Sequence, residues 1–293
     1  MNNWAIQTSA ELTPKQFSKW QKLVEEKTGM LLPDHRKSFL QSSLSIRMRE
    51  IGCDSYDKYF EQLASGMKGT VEWAVLVDRL TVHETHFFRH PESFDLVRIF
   101  LRRMIPLRAK QGKPINLWSV GCSTGEEPYS LAMLVEELIF EAQVQLYYGI
   151  TATDISLPSL STARAGVYSE RRLAGLTELQ KDIFFEKKTK NQFEIKEKYK
   201  GKICFARVNL LDLKQVPIDR VDIIFCQNVL IYFQKERKHE IVTNLAKSLE
   251  PGGLMMLGLG DISGWCPDSL KRIKAPNVLA FTKNIGSTAE SIR

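Results

Sequence analysis

Five cysteines in 293 residues, with no C-x-x-C pair among them, give neither a disulfide framework nor a zinc ribbon. Cys53, Cys122, Cys204, Cys226 and Cys266 are odd in number and scattered, as reduced thiols of a cytosolic protein are. No apolar run approaches the roughly 20 residues a membrane helix needs, so membrane insertion is not expected. The opening MNNWAIQTSAELTPKQF has neither a basic start nor an apolar signal core, and the cytoplasm is the expected compartment. Histidine is scarce, and His83 and His86 have no third partner at ligand spacing, so no metal site is expected. Neither G-x-G-x-x-G nor G-x-x-x-x-G-K-[ST] occurs, which removes the signatures of a nicotinamide dehydrogenase and of a phosphate loop. Internal repeats and low-complexity tracts are also missing.

What is present is ordinary for a globular protein: 43% hydrophobic and 26% charged residues, with a net charge of +7. Residues 1–80 are nearly neutral. The surplus falls in 84–113 and 164–202, the second of which holds KDIFFEKKTKNQFEIKEKYKGK. Such a stretch either faces an anionic partner or is a solvated lysine-rich loop.

Residues 1–80 read as a small helical domain. Thr13-Pro14-Lys15-Gln16 is a capping box with proline at the first helical position. Phe17, Trp20, Val24 and Thr28 follow at helical spacing, and Gly29 supplies a left-handed stop. Further helices are expected over 35–51, 56–63 and 71–80. So small a unit buries a modest core and is expected to pack on the remainder.

From residue 115 the pattern alternates. Strands are expected over 115–120, 146–153, 221–226, 254–259 and 278–283, with helices over 127–140 and 234–249; Pro251-Gly252-Gly253 is read as the stop after the second helix. Alternating β and α elements imply a parallel sheet covered on both faces. The stretch 181–205 breaks the rhythm. It alternates apolar and charged residues (Phe193, Ile195, Ile203, Phe205), and is read as an insertion of small antiparallel strands.

The turn after the first strand, Gly121-Cys122-Ser123-Thr124-Gly125, lies where open α/β sheets bind ligands. Gly121 and Gly125 permit close backbone approach and positive φ. Asp154, ending the second strand, suits a ribose diol. Glu126 and Glu127 at the helix start would repel a phosphate. They either serve the helix dipole or face a cationic ligand, and S-adenosylmethionine, with its sulfonium and α-amino group, answers the second reading. Cys122 and Cys226 read as small packing residues, and Phe87 and Phe88 as domain packing. Asn228 at the end of 221–226 could hold the adenine or the methionine tail.

Together ETHFFR (84–89), GCSTGEEPYSLAM (121–133), TATDIS (151–156), ARAGVY (163–168), VNLLD (208–212), FCQNVLIYF (225–233) and LEPGGLM (249–255) resemble the chemotaxis receptor methyltransferases, the CheR family. The resemblance implies a Rossmann-like seven-stranded class I methyltransferase domain over 81–293, a small all-helical N-terminal domain over 1–80 and a small antiparallel β insertion around 181–205. It implies methyl transfer from S-adenosylmethionine to glutamates of chemoreceptor cytoplasmic helices. The cofactor contacts it implies are Thr85, Arg89, Glu127 or its neighbour Glu126, Asp154, Asn209, Leu210, Gln227 and Asn228. His83 stands where the family has asparagine and can still donate one hydrogen bond. Arg89 and Tyr232 resemble the pair beside the reactive methyl group.

Two further departures from the family pattern are Gly258-Leu259-Gly260-Asp261 in place of Gly-His-Ser-Glu, and Lys190-Asn191-Gln192 in place of a glycine turn. Arg36, Lys37, Arg47 and Arg49 suit an acidic receptor bundle, or form a solvated face. The rival readings are a nucleic-acid methyltransferase and a cofactor-binding module without transferase activity. The first lacks both an Asn/Asp-Pro-Pro-Tyr strand end and a basic, aromatic strip for stacking bases. The second finds support only in His83 and the altered 258–261 segment.

Overall fold

The computed structural model describes residues 11–81 and 84–285, so the chain start and His83 lie outside the described residues. Two compact units result, Met1–Val82 and His83–Arg293.

The first unit holds α1 (Pro14–Thr28), α2 (Lys37–Glu50), α3 (Tyr56–Ala64) and α4 (Gly66–Leu80). The capping box forms as the sequence predicts, and Gly29 closes α1 at φ 75°. Phe17, Trp20, Val24, Leu40, Leu44, Tyr59, Leu76 and Val77 make its core. The Trp20 ring packs edge-on against Phe60 with centroids 5.2 Å apart. Helix α4 begins five residues before its expected start, because Gly69 lets it approach α3: a Cβ there would stand 2.5 Å from the Leu63 carbonyl oxygen. A charge cluster closes the unit. Glu72, buried, accepts two hydrogen bonds from Arg47 (2.8 and 2.7 Å) and one from the Tyr59 hydroxyl (2.7 Å).

The second unit opens with α5 (Pro91–Gln111) and β1 (Ile115–Val120), then α6 (Glu126–Ala142) and β2 (Tyr148–Asp154). Next come α7 (Leu157–Ala165), β3 (Val167–Ser169), α8 (Glu178–Phe184), β4 (Phe185–Thr189) and β5 (Gln192–Ile195). It ends with α9 (Glu197–Lys200), β6 (Ile203–Arg207), β7 (Val221–Cys226), α10 (Lys235–Ser248), β8 (Leu249–Leu257), β9 (Leu270–Ile273) and β10 (Leu279–Lys283). Seven strands form one sheet in the order β6-β2-β1-β7-β8-β10-β9. The five from β6 to β8 are parallel, and β10 is antiparallel to both of its neighbours.

Alternation along β1 splits the core. Leu117 joins Leu101, Leu134 and Phe225 on one face, and Trp118 joins Ile224, Leu245 and Met255 on the other. This is the Rossmann-like fold expected from the alternating elements.

Three details differ from the sequence reading. Ile203–Arg207 is not in the small sheet but pairs parallel with β2 at the edge of the large one. Its apolar–polar alternation reports one-sided burial, which an edge strand shares with an antiparallel hairpin. The small sheet is β3-β5-β4, so its first strand lies well before residue 181. Pro251-Gly252-Gly253 does not end α10, which stops at Ser248. It sits inside β8, where the pairing shifts between Val221↔Leu249 and Ile223↔Leu254, so that five positions on β8 span two on β7, an irregularity larger than a single-residue bulge.

Candidate active site

Strand order reverses between β1 and β7, since β2 and β6 lie to one side and β8 to the other. Ligands of such sheets bind beyond the carboxyl ends of the strands flanking that point. The exit of β1 is tied to the end of β2: the Gly121 and Cys122 amides donate to the Thr153 carbonyl at 2.7 and 2.9 Å. Gly121 and Gly125 have φ of 72° and 97°. The room they leave is filled by the chain itself. A Cβ on Gly121 would stand 2.4 Å from Val229, and one on Gly125 would stand 2.9 Å from both Ala163 and the Tyr168 hydroxyl. The positive φ expected of both glycines is present, and close packing by Val229, Ala163 and Tyr168 adds a second reason for them.

Asp154 is fixed at the end of β2. Its Oδ2 accepts from the Ser123 amide at 2.8 Å and its Oδ1 from the Ser156 amide at 2.9 Å. The Ser123 hydroxyl beside it is buried, with no hydrogen-bond partner among the described residues.

The two glutamates part company. Glu126 has no exposed surface and is paired internally: Thr124 Oγ1 donates to Oε2 at 2.6 Å and Arg172 to Oε1 at 2.8 Å. Glu127 is half-buried and accepts from Ser119 Oγ at 2.7 Å. Burial pushes its carboxyl up to about 8, against the lowering effects of the Ser119 bond and the Arg89 charge. Of the pair, Glu127 is the one with exposed surface.

At the end of β7, the Gln227 amide donates to Ser93 Oγ at 2.6 Å. Asn228, at φ 58°, lies 3.1 Å from His90 Nε2 through its Nδ2. Asn228 and Ile231 also donate backbone N–H to Asp261, each at 3.1 Å, and Gly258 does so at 2.7 Å. Asp261 has no exposed surface, and its burial pushes the carboxyl up to about 6 against those backbone bonds. It therefore clamps the loop after β7 to the loop after β8. Nothing in the sequence pattern marked it beyond a departure at 258–261. Tyr232 is half-buried in the 3₁₀ turn Leu230–Tyr232 and packs on the α10 side of the sheet.

The 84–90 segment lies across α6. Phe87 is buried and packs edge-on against Tyr168 and Phe185, as domain packing predicts. The Phe88 amide donates to Ser130 Oγ at 2.9 Å. Arg89 donates to the Glu84 carbonyl at 2.5 Å. Thr85 is half-buried in the same segment. Asn209 accepts the Leu211 amide at 3.1 Å and starts a 3₁₀ turn from Leu210. Cys122 and Cys226 are buried, and burial pushes both thiols well up, as suits packing residues. Among the described residues no group of three His, Cys, Asp or Glu could hold a metal.

Residues 83–277 match the CheR methyltransferase SAM-binding domain, and residues 15–81 match the CheR methyltransferase all-alpha domain. The chain belongs to the CheR methyltransferase family. It is 30% identical to the chemotaxis protein methyltransferase of Vibrio anguillarum over 269 residues, 91% of this chain and 96% of that one. The Escherichia coli K12 chemotaxis protein methyltransferase is 30% identical over 250 residues, 84% of each chain. That of Borreliella burgdorferi is 29% identical over 249 residues, 84% and 88%. The CheR cofactor is S-adenosylmethionine, and the site fits it. Glu127 is a half-buried carboxyl in the first turn of α6, Asp154 presents oriented acceptor oxygens at a strand end, and the Ser123 hydroxyl is an orphaned polar atom at the same turn.

Within this CheR chain Gly121, Asp154, Gln227 and Asn228 lie at the carboxyl ends of β1, β2 and β7, and Glu127, in the first turn of α6, bonds Ser119 of β1. Arg89 lies in the 84–90 segment, where its guanidinium donates to the Glu84 carbonyl. His83 lies outside the described residues. Asn116, at the start of β1, donates its amide to Asp222 at 2.9 Å, and Asp222 also pairs with Arg108. That pair serves the opposite end of the sheet.

Proposed function

We propose that this chain transfers a methyl group from S-adenosylmethionine to glutamate side-chain carboxylates on the cytoplasmic helices of chemoreceptors, forming methyl esters and S-adenosylhomocysteine in the cytoplasm. The observation that carries this reading is the 3.1 Å contact between His90 and Asn228. It joins the segment bearing Arg89 to the loop bearing Tyr232, above the strand ends where Glu127 and Asp154 converge.

The bound cofactor supplies a methyl group activated on a sulfonium. Asp154 holds the ribose hydroxyls and Glu127 the α-amino group. Thr85, Asn209, Leu210, Gln227 and Asn228 surround the remainder. A glutamate acceptor with pKa about 4.3 is ionised at neutral pH, so its carboxylate attacks without a general base. The chain must then supply proximity and in-line orientation. Arg89 aligns the carboxylate through its guanidinium fork, and Tyr232 donates one hydrogen bond beside the reacting methyl.

Of the basic residues proposed for receptor docking, Arg47 is engaged by Glu72 and Glu50. Docking therefore falls to Arg36, Lys37 and Arg49. Arg36 lies over the Phe39 ring and Lys37 faces Glu11 at 3.4 Å, while Arg49 is exposed. Among the described residues no helix is long and apolar enough to cross a membrane.

Asp154→Ala is expected to weaken S-adenosylmethionine binding by about 1–3 kcal/mol; unchanged calorimetric affinity removes its ribose role. Tyr232→Phe is expected to slow transfer about tenfold, the scale of one lost hydrogen bond, while the melting temperature holds. Wild-type turnover in that variant counts Tyr232 out. The reading as a whole is tested by mapping methyl groups on receptor peptides after incubation with cofactor: methylated glutamates support it, and methylation confined to other side chains refutes it.

A further inference from the structure

Glu126 and Arg172 belong to a network that no part of the proposed chemistry uses. Arg172 follows β3, the first strand of the small sheet. Its NH1 donates to Glu126 Oε1 at 2.8 Å and to the Thr85 carbonyl at 2.9 Å. Glu126 has no exposed surface and also accepts from Thr124 Oγ1 at 2.6 Å. From β3 itself, the Tyr168 hydroxyl donates to the Thr124 carbonyl at 2.7 Å, and its ring packs on Phe87 at 5.1 Å. A second tie runs through α6: Ser130 Oγ donates to the Glu126 carbonyl at 2.6 Å and accepts from the Phe88 amide at 2.9 Å.

Two segments that carry the site, the 121–127 turn and the 84–89 segment, are thus held in register by one tyrosine of the small sheet and one guanidinium in the turn that follows β3. The geometry favours arginine for a physical reason. The single terminal nitrogen NH1 serves both acceptors, its two N–H directions fixed in the guanidinium plane, whereas an ammonium is a point charge on a flexible stem.

We propose that Arg172 is a positioning residue for methyl transfer, acting with Tyr168 through Glu126 and the Thr85 carbonyl to set the cofactor turn against the Arg89 segment. The inference rests on the reading that Thr85, Glu127 and Arg89 serve cofactor and acceptor. It moves Glu126 from the cofactor's partners to the support behind them. It also gives the small sheet a role: through Tyr168, β3 braces the 121–127 turn.

The test is calorimetric binding of S-adenosylmethionine to the full chain carrying Arg172→Lys. Lysine keeps the charge beside Glu126 and loses the fork. The expected result is a melting temperature close to wild type with a cofactor Kd raised about tenfold, the scale of one charge-assisted hydrogen bond. The KM for receptor should stay unchanged. Merely structural support would move the melting temperature and leave the Kd of the folded protein alone.

Because a buried glutamate left without its fork can destabilise the fold, the neutral pair Arg172→Met with Glu126→Gln is measured alongside. It is expected to fold and to bind cofactor as weakly. A third reading needs no variant. Hydrogen exchange on the wild-type chain should show residues 84–90 and 171–174 gaining protection together when cofactor is added. Wild-type affinity in a folded variant, or protection of 84–90 without 171–174, overturns the proposal. None of these binding experiments needs a methyl acceptor, so they stand apart from the question of whether receptor glutamates are the substrate.

Discussion

Glu127→Gln is expected to weaken S-adenosylmethionine binding by about 100-fold at pH 8.5 and to flatten its pH dependence, because a charge-assisted hydrogen bond to an ammonium becomes a neutral one. The pH profile follows from the site. Without cofactor, burial holds the Glu127 carboxyl up to about 8. The cofactor's ammonium favours the carboxylate, so below pH 8 binding must expel a proton. Affinity of the wild-type chain should therefore rise about tenfold per pH unit towards pH 8 and level off above it.

The stability sign is the reverse of that for an ordinary paired acid. The folded-state value lies above the unfolded one, so the ligand-free protein is favoured at low pH by this group and loses that increment as pH rises to about 8. Calorimetry in buffers of different ionisation enthalpy reads the expelled proton directly. Arg89, Asp154 and Asp261 also act on Glu127, and the variant separates their contribution from its own. A flat profile in the wild type would show that Glu127 does not meet the amino group.

Glu72→Ala is the change expected to harm stability most. Glu72 is buried in the helical unit and receives the Arg47 fork and the Tyr59 hydroxyl. The Arg47 fork is the largest influence holding its carboxyl down against burial, and Arg47 is raised chiefly by the same bond. Removing the carboxylate leaves the part-buried Arg47 guanidinium with Glu50 as its remaining acid and orphans a phenol, at a cost of about 3 kcal/mol. For a unit of this size that is a fall of roughly 15 °C or more in its melting transition. Thermal unfolding of the full chain checks it.

Glu72→Gln keeps an acceptor for Tyr59 and should lose less. An apolar replacement of all three groups, Glu72→Leu with Arg47→Met and Tyr59→Phe, should recover most of the loss, since buried ion pairs give little net stability over well-packed apolar groups. A melting temperature within a few degrees of wild type for Glu72→Ala would mean that the cluster is not the brace described.

Much of this architecture was legible because local chemistry and global fold agree. The capping box at Thr13, the left-handed stop at Gly29 and the buried run VDIIFC each specify one local geometry, and each forms. Helix α5 escaped the reading although Phe94, Val97, Leu101 and Ile105 recur at helical spacing and are all buried. Pro106 lies inside it and arginines line its solvent side, which breaks the appearance of a continuous amphipathic run. Strand β6 was placed in the wrong sheet because alternation encodes which face is buried, never the direction or identity of the neighbouring strand.

The site shows the same division. Asp154 and Asn228 stand at strand ends, where topology alone gives them meaning. Glu126 and Glu127 could not be told apart in sequence, since the difference lies in Arg172, 46 positions beyond Glu126. Asp261 reads as an ordinary loop acid until three backbone N–H groups are seen to converge on it.

The central claim is that a carboxylate receives the methyl group, and alkali lability tests it most directly. The purified chain would be incubated with methyl-labelled S-adenosylmethionine and receptor-containing membranes, then treated with mild base. Methyl esters release labelled methanol under these conditions, and that release is the predicted result. Label incorporated but retained through alkali would place the methyl on nitrogen or another stable acceptor and contradict the account.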